Sequence, residues 1–407
     1  MASLVRALLP ALLSLPLAAQ NFNQRGFLET DLELYPETAP NDSSHAIDDN
    51  LFRYEASYKA LPWLRLAGSF DARFDTHRQT ERTAHFDWQD RSLLRPALSA
   101  REFNATITNG KLTAEFGKQF IRWGKADILN PTDRFAPKDF LTVTDPDFLA
   151  ILAARVTYDT GADSFDFVWQ PRFTPSRTPL INERWTVLPQ GVTGVVDLGA
   201  DYPGRSAFGA RWNHIGSGYE LSASFYDGFN SLPLFKGGPD ASGTVIDFLR
   251  TYPALRLYGA DAAVPLRWFT VKAEAAYYTS PDRRQDEYVI YVIQFERQIK
   301  ELAIVAGYAG DAITARAPGL QFSPELGFAR AILAHAQYTI DSNRSVAVDA
   351  AVRQNGRGSW VRAAYSQAFG QHWRATAGYS WIRGDDGDFL GQYHRNSYAL
   401  LALRYSF

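Results

Sequence analysis

The sequence contains no cysteine and a single methionine. The first absence removes disulfides, thiolate metal sites and thiol chemistry together. Beyond the N-terminus there is also no apolar stretch of about 18 residues, the length a helix needs to cross a bilayer, so no helical span is expected. Charge of neither sign dominates: 42 Lys+Arg stand against 44 Asp+Glu for a net charge of -2, without the basic surplus that a nucleic-acid partner calls for. A chain of 407 residues would ordinarily divide into domains, yet no linker, charge run or low-complexity stretch marks a boundary. One continuous architecture has to account for the whole length.

What is present begins with an export signal. Arg6 is the only early charge, an apolar run from Ala7 to Leu17 follows, and the small residues Ala18 and Ala19 precede Gln20. The run is too short to span a bilayer and has no polar face, which separates a cleavable signal from a membrane span and from an amphipathic helix. Residues 1–19 are expected to be a signal peptide and residues 20–407 the exported chain. No cysteine follows the cut, so a lipid-anchored lipoprotein is excluded.

The strongest pattern is alternation with a period of two, carried by a chain that is 14% aromatic. Phe52, Tyr54, Ala56 and Tyr58 alternate with Arg53, Glu55, Ser57 and Lys59. Leu64 to Phe74 and His372 to Trp381 repeat the pattern, and the last segment sets Ala399, Leu401, Leu403, Tyr405 and Phe407 opposite Arg404 and Ser406. Strands of this kind show lipid one face and water the other. They number about 18, within 16 to 18, near the length of about 9–11 residues that a tilted membrane strand needs. Their centres fall near residues 31, 55, 69, 104, 116, 154, 167, 210, 222, 259, 274, 291, 304, 335, 349, 363, 377 and 402.

The connections alternate between short and long. Short turns are read at Leu61-Pro62, Asn109-Gly110, Gly161-Ala162, Gly216-Ser217-Gly218, Pro265-Leu266, Arg297-Gln298, Ser342-Asn343 and Gly370-Gln371. The longer connections include 36–50, 75–99, 122–147, 171–205, 228–253, 310–327 and 383–396, with 280–286 and 355–358 as short exceptions. Short turns suit the periplasmic side and long loops the cell surface, where 228–253 and Phe389 are placed. The expected fold is all-β: a single transmembrane antiparallel β-barrel with both ends periplasmic.

The chain resembles Gram-negative outer-membrane porin-like barrels over its mature length, including the terminal Tyr405-Ser406-Phe407. That resemblance implies outer-membrane lipid as surroundings and recognition of Phe407 by the barrel-assembly machinery. Gly117-Lys118-Gln119-Phe120-Ile121-Arg122-Trp123-Gly124-Lys125, followed by Asn130-Pro131-Thr132-Asp133, is similar to a pattern of a poorly characterised porin-like group, and Pro171 to Arg177 is similar to a loop of the same group. The match speaks to architecture more than to substrate.

A barrel of this size usually encloses an aqueous channel, which points to passive or facilitated diffusion of small solutes. The loop 122–147 is the candidate constriction, through Arg122, Lys125, Asp127, Asp133, Arg134, Lys138 and Asp139, with Asp145 and Asp147 beyond them. Its mixed charge among aromatics suits a wet lumen, although an ordinary surface loop held by Asn-Pro and Ala-Pro turns has the same composition. Glu29, Asp31 and Glu33 on the first strand and Arg353, Arg362, Arg374 and Arg404 on the last four are expected to face the lumen. They would either form opposed walls with a transverse field or neutralise one another across strands.

Two other classes compete. A hydrolase of the outer-membrane lipase kind would carry His-x-Ser on one strand, and none of the seven histidines has Ser two places on. Asp385-Asp386-Gly387-Asp388 lacks the spacing of a calcium loop and reads as a hairpin turn. A surface adhesin or receptor is permitted by loop length alone. No cofactor is expected, and an oligomer is left open.

Overall fold

Alternating side chains build the wall. The computed structural model describes residues 21–407 apart from 189–191, 193, 240–244 and 319, so the expected signal peptide at 1–19 lies outside the described residues. In chain order the wall strands are β1 (Phe22–Leu34), β2 (Ala46–Leu61), β3 (Leu64–Asp75), β4 (Leu98–Asn109), β5 (Leu112–Gln119) and β6 (Ile151–Asp159). Next come β7 (Asp163–Gln170), β8 (Ala207–Gly216), β9 (Tyr219–Phe229), β10 (Ala254–Pro265), β11 (Thr270–Thr279) and β12 (Glu287–Ile299). The last six are β13 (Leu302–Ala315), β14 (Ala331–Thr339), β15 (Arg344–Arg353), β16 (Gly358–Phe369), β17 (Trp373–Gly384) and β18 (Tyr398–Ser406).

Each strand pairs antiparallel with the next, and β18 returns to β1 from Phe27↔Ser406 to Leu34↔Ala399. The eighteen-stranded sheet therefore closes and leaves no edge to aggregate. Every centre read from the alternation lies inside the corresponding strand. Closure reaches the last residue. Gly26 and Phe407 exchange two backbone hydrogen bonds of 3.0 Å, and the Phe407 ring stacks on Phe52 at 6.3 Å. A Cβ on Gly26 would lie 2.5 Å from that ring, so only glycine admits it there.

The burial pattern inverts that of a water-soluble protein. Outward positions carry large exposed apolar groups, among them Phe103 (58%), Phe167 (56%), Ile293 (46%) and Leu401 (50%). The opposite face buries Asp71, Asp166, Ser222, Asp261, Glu274 and Gln294. An apolar belt of this extent is costly in water and favourable in lipid.

Two local readings are corrected. β12 continues through Arg297 and Gln298 to Ile299, and the turn lies at Lys300–Glu301, with Lys300 at φ 52°. The outward alternation runs on through Phe295 to Ile299, so pairing with β13 extends past the polar dipeptide. The 228–253 connection is not a free surface loop either. Leu234–Pro239 and Val245–Thr251 pair antiparallel, Gly194–Asp201 adds parallel to the latter and Leu320–Gln321 to the former, making a four-stranded sheet among the long connections. Phe389 likewise packs edge-on against Phe328 at 5.6 Å and Tyr393 at 5.7 Å. The Asp385–Asp388 run is a turn, closed by Asp388 N–H on the Asp385 carbonyl at 2.9 Å.

Candidate functional site: the segment between β5 and β6

Residues 120–150 join β5 to β6 and meet the polar face of distant strands. The first half is shaped around two carboxylates. Asp133 accepts the backbone N–H groups of Trp123 and Gly124, the latter at 2.9 Å, and the Arg122 guanidinium lies 3.3 Å away. Glu274 on β11 accepts from Lys125 N and Ala126 N at 3.0 Å, and from Thr132 N and Oγ1 at 2.8 Å. Irregular backbone in a barrel needs such partners, because no sheet or helix satisfies it.

Side chains extend the attachment along neighbouring strands. Lys125 Nζ donates to Asn213 Oδ1 on β8 at 2.7 Å and ion-pairs with Glu220 on β9. Asp127 takes hydrogen bonds from Lys272 on β11 at 2.8 Å and from Gln294 on β12 at 2.6 Å. Trp123 Nε1 reaches Asp166 on β7 at 2.8 Å, and its ring meets Phe135 edge-on, which in turn meets Tyr226. Arg134 is buried, bonded to Glu325 at 2.6 Å and lying over the Tyr278 ring.

The second half is anchored elsewhere. Asp139 is held by Arg95 at 3.0 Å and Arg177 at 3.2 Å. Arg95 also reaches Asp49 on β2 at 3.2 Å, and Arg177 reaches Asp90 at 2.9 Å. Arg73 on β3 links Asp49 to Asp147, and Asp145 ion-pairs with Arg362 on β16. Burial works to raise the Asp90 and Asp139 carboxyls, but Arg177 and Lys118 beside the first, and Arg95 and Arg177 beside the second, outweigh it and hold both below the usual carboxylate range. Lys138 differs from its neighbours. Its ammonium has no carboxylate partner among the described residues, sits 5.1 Å from the Phe148 ring, and is pushed below the usual lysine range by burial.

The two halves therefore attach to opposite sides. From β2 to β11, and from β3 to β12, is nine strands in a ring of eighteen. A cavity of about 230 Å³ lies by Glu29, Asp31, Glu33, Asp49, Asp145 and Asp147, with Arg73 and Arg95. Another, of about 510 Å³, borders Arg122, Asp127, Lys138, His335, Asp349 and Arg362.

The remaining lumen candidates do not stand as separate acidic and basic walls. Arg404 bonds Glu29 at 2.8 Å, Arg362 bonds Asp349 at 3.2 Å, and Arg353 bonds Asp388 at 3.2 Å. Arg374 is exposed, faces Arg404 in the β17–β18 register, and has no ion pair among the described residues. The sequence reading missed Glu274, Asp166, Asp261 and Gln294. A signal existed: Glu274 and Asp261 are lone carboxylates flanked on both sides by alanine.

The chain has the fold of outer-membrane porins. It is similar over 95% of its length to OccAB4 from Acinetobacter baumannii, at 8% identity and TM-score 0.56, covering 98% of that chain. It is also similar to a BenF-like porin from Pseudomonas fluorescens Pf-5 (8%, 0.55, 97% of that chain) and to the outer membrane protein opdK from Pseudomonas aeruginosa (8%, 0.54, 99%), again over 95% of its own length. At such identities the likeness is one of fold. No protein-family model matches the sequence, and no curated protein does.

Proposed function

We propose that the protein is an outer-membrane porin-like channel for passive or facilitated diffusion of small solutes, with loop 122–147 as its constriction. One observation carries the reading: the segment is tied to β11 and β12 near residues 124–132, and near residues 139–147 directly to β3 and through Arg95 to β2, on opposite sides of the ring. A segment in that position narrows any path through the barrel, and its charges then act where the dielectric is lowest. Arg122 and Lys138 border the 510 Å³ cavity, so they and the lumen-facing Arg374 are the cations expected to meet a passing solute. Residues 1–19 act as the export signal in this reading, and Phe407 as the residue read during assembly.

A hydrolase has less support. His335 is engaged by Asp349 at 2.7 Å, and among the described residues no histidine ring bonds a serine hydroxyl. The test is reconstitution of the purified protein in planar bilayers and in liposomes loaded with an impermeant polymer. Discrete conductance steps, and swelling in small sugars with a size cut-off, are expected. Sealed liposomes and silent bilayers from heat-modifiable, correctly folded protein would remove the channel reading.

A further inference from the structure

Away from the lumen segment, three long connections converge on one imidazole. Asp42 lies between β1 and β2, His77 between β3 and β4, and Glu183 between β7 and β8. His77 Nε2 is 2.7 Å from Asp42 Oδ2 and 2.7 Å from Glu183 Oε2. We propose that these three residues bind one divalent transition-metal ion of the zinc class, which fastens the three connections together at the barrel rim.

The donor set supports that class. One imidazole nitrogen and two carboxylate oxygens, all within 4.8 Å of one another, match zinc ligation with a fourth position left for water. With bonds of about 2.0–2.2 Å in a tetrahedral shell, ligand atoms stand about 3.3 Å apart, so each carboxylate oxygen needs to draw back from Nε2 by only about 0.6 Å. An imidazole donor disfavours magnesium and calcium, which take oxygen shells. A single N–H cannot be aimed at two oxygens at once, whereas a cation at the point where the three atoms converge satisfies all of them. Asp42 and Glu183 are each only 7% exposed, unlike the solvated acidic groups common on surfaces. Burying two carboxylates around one imidazole is unfavourable unless cations compensate both, and the neighbouring Arg184 supplies one.

The surroundings hold the ligands in place. Ser44 N–H bonds Asp42 Oδ1 at 2.8 Å and leaves Oδ2 for the site. Arg184, next in sequence to Glu183, donates to the carbonyls of Glu37 and Ser44 and to Asn396 Oδ1, and lies 3.7 Å over the Tyr35 ring. These contacts fix the Asp42 and Glu183 connections relative to each other before His77 is considered. Arg184 Nε is buried and finds no hydrogen-bond acceptor, yet it sits 3.5 Å from Asp42 Oδ2. Water completing the metal shell would supply that acceptor. Two carboxylates against one guanidinium leave one net negative charge, which favours a cation over an anion.

The experiment is calorimetric titration of Zn²⁺, with Mg²⁺ as the hard-cation arm, into chelator-stripped protein in detergent carrying no histidine tag. Expected is about one Zn²⁺ per chain, no comparable Mg²⁺ binding, and affinity reduced at least tenfold in His77→Ala, Asp42→Asn and Glu183→Gln. His85→Ala should leave binding unchanged, since that exposed ring pairs only with Glu81. All variants are checked for heat-modifiable migration, and the two near-isosteric carboxylate changes decide the matter if His77→Ala fails to assemble. The proposal is overturned by absence of a one-equivalent site, by binding that survives the carboxylate changes, or by binding lost in His85→Ala. Since the readout is metal binding and not conductance, its failure is distinguishable from failure of the channel reading.

Discussion

Glu274→Gln is the sharpest probe of the lumen segment. The wild-type carboxylate accepts four hydrogen bonds from the segment, two on each oxygen. Glutamine keeps the shape but converts one oxygen to an NH₂ group, so two buried donors on that side face another donor. Each unsatisfied donor costs about 1–3 kcal/mol, which makes the total about 2–6 kcal/mol. At about 1.4 kcal/mol per decade, the ratio of released to docked segment rises roughly 30-fold to 20,000-fold. Gly124→Ala attacks the same contact from the other side, because its Cβ would lie 2.8 Å from both Glu274 oxygens. Single-channel recordings should show raised mean conductance or new flicker for both variants. Glu287→Gln is the control: that carboxylate also accepts hydrogen bonds, from Thr279 and Ser280, but does not touch the segment. Identical traces from Glu274→Gln, Glu287→Gln and the parent, all from folded barrels, would refute the idea that this carboxylate docks a constriction.

Other outcomes follow from the same contacts. Phe407→Ser should lower outer-membrane yield well below that of Phe369→Ser, because both rings are 50% exposed but only Phe407 lies on the closing seam; equal yields on heat-modifiability gels would count against a special role for the terminal residue. Lys138→Gln should shift the reversal potential in a salt gradient toward cation selectivity more than Arg134→Gln does, since Arg134 is already neutralised by Glu325. Glu325→Ala should destabilise the attachment by about 3–5 kcal/mol by stranding the buried Arg134, seen as protease sensitivity within 120–150. Asp90 and Asp139 have depressed folded-state values, so their stabilisation is present above the ordinary carboxylate range and is lost as pH falls through those values. Thermal melts should accordingly show no loss from these two groups between about pH 8 and 5, and a decline below about pH 4.

The wall was legible because its determinant is local. A strand with lipid on one side and water on the other must alternate, and the period survives without knowledge of any partner. What failed was whatever depends on pairing. Arg297 and Gln298 have the composition of a turn, yet the register with β13 carries the strand through them to Ile299. Residues 234–239 and 245–251 lie in what reads as a surface connection, and their pairing with each other and with residues 194–201 and 320–321 makes them a sheet. The same limit governed the site. Asp127, Asp133 and Asp139 are visible as charges in a long loop, but their partners lie up to 167 positions away, as with Asp127 and Gln294. The Asp42, His77 and Glu183 cluster draws on three connections and leaves no local trace at all.

Overall charge balance left two arrangements open, for a physical reason. Near-equal totals of 42 and 44 are compatible both with separated walls and with pairing at every contact. In a narrow aqueous space walled by strands, separating like charges into walls leaves each uncompensated in a medium of reduced dielectric, whereas adjacent pairing lowers that cost. Arg404 with Glu29, Arg53 with Asp71 and Arg155 with Asp166 all follow the second course. Such pairs fix where a segment sits more than they add to stability, because desolvation offsets much of the attraction. If the barrel conducts solutes as proposed, its selectivity is expected to follow the few cations outside the pairing, Lys138 and Arg374 foremost, and not the sum over the chain.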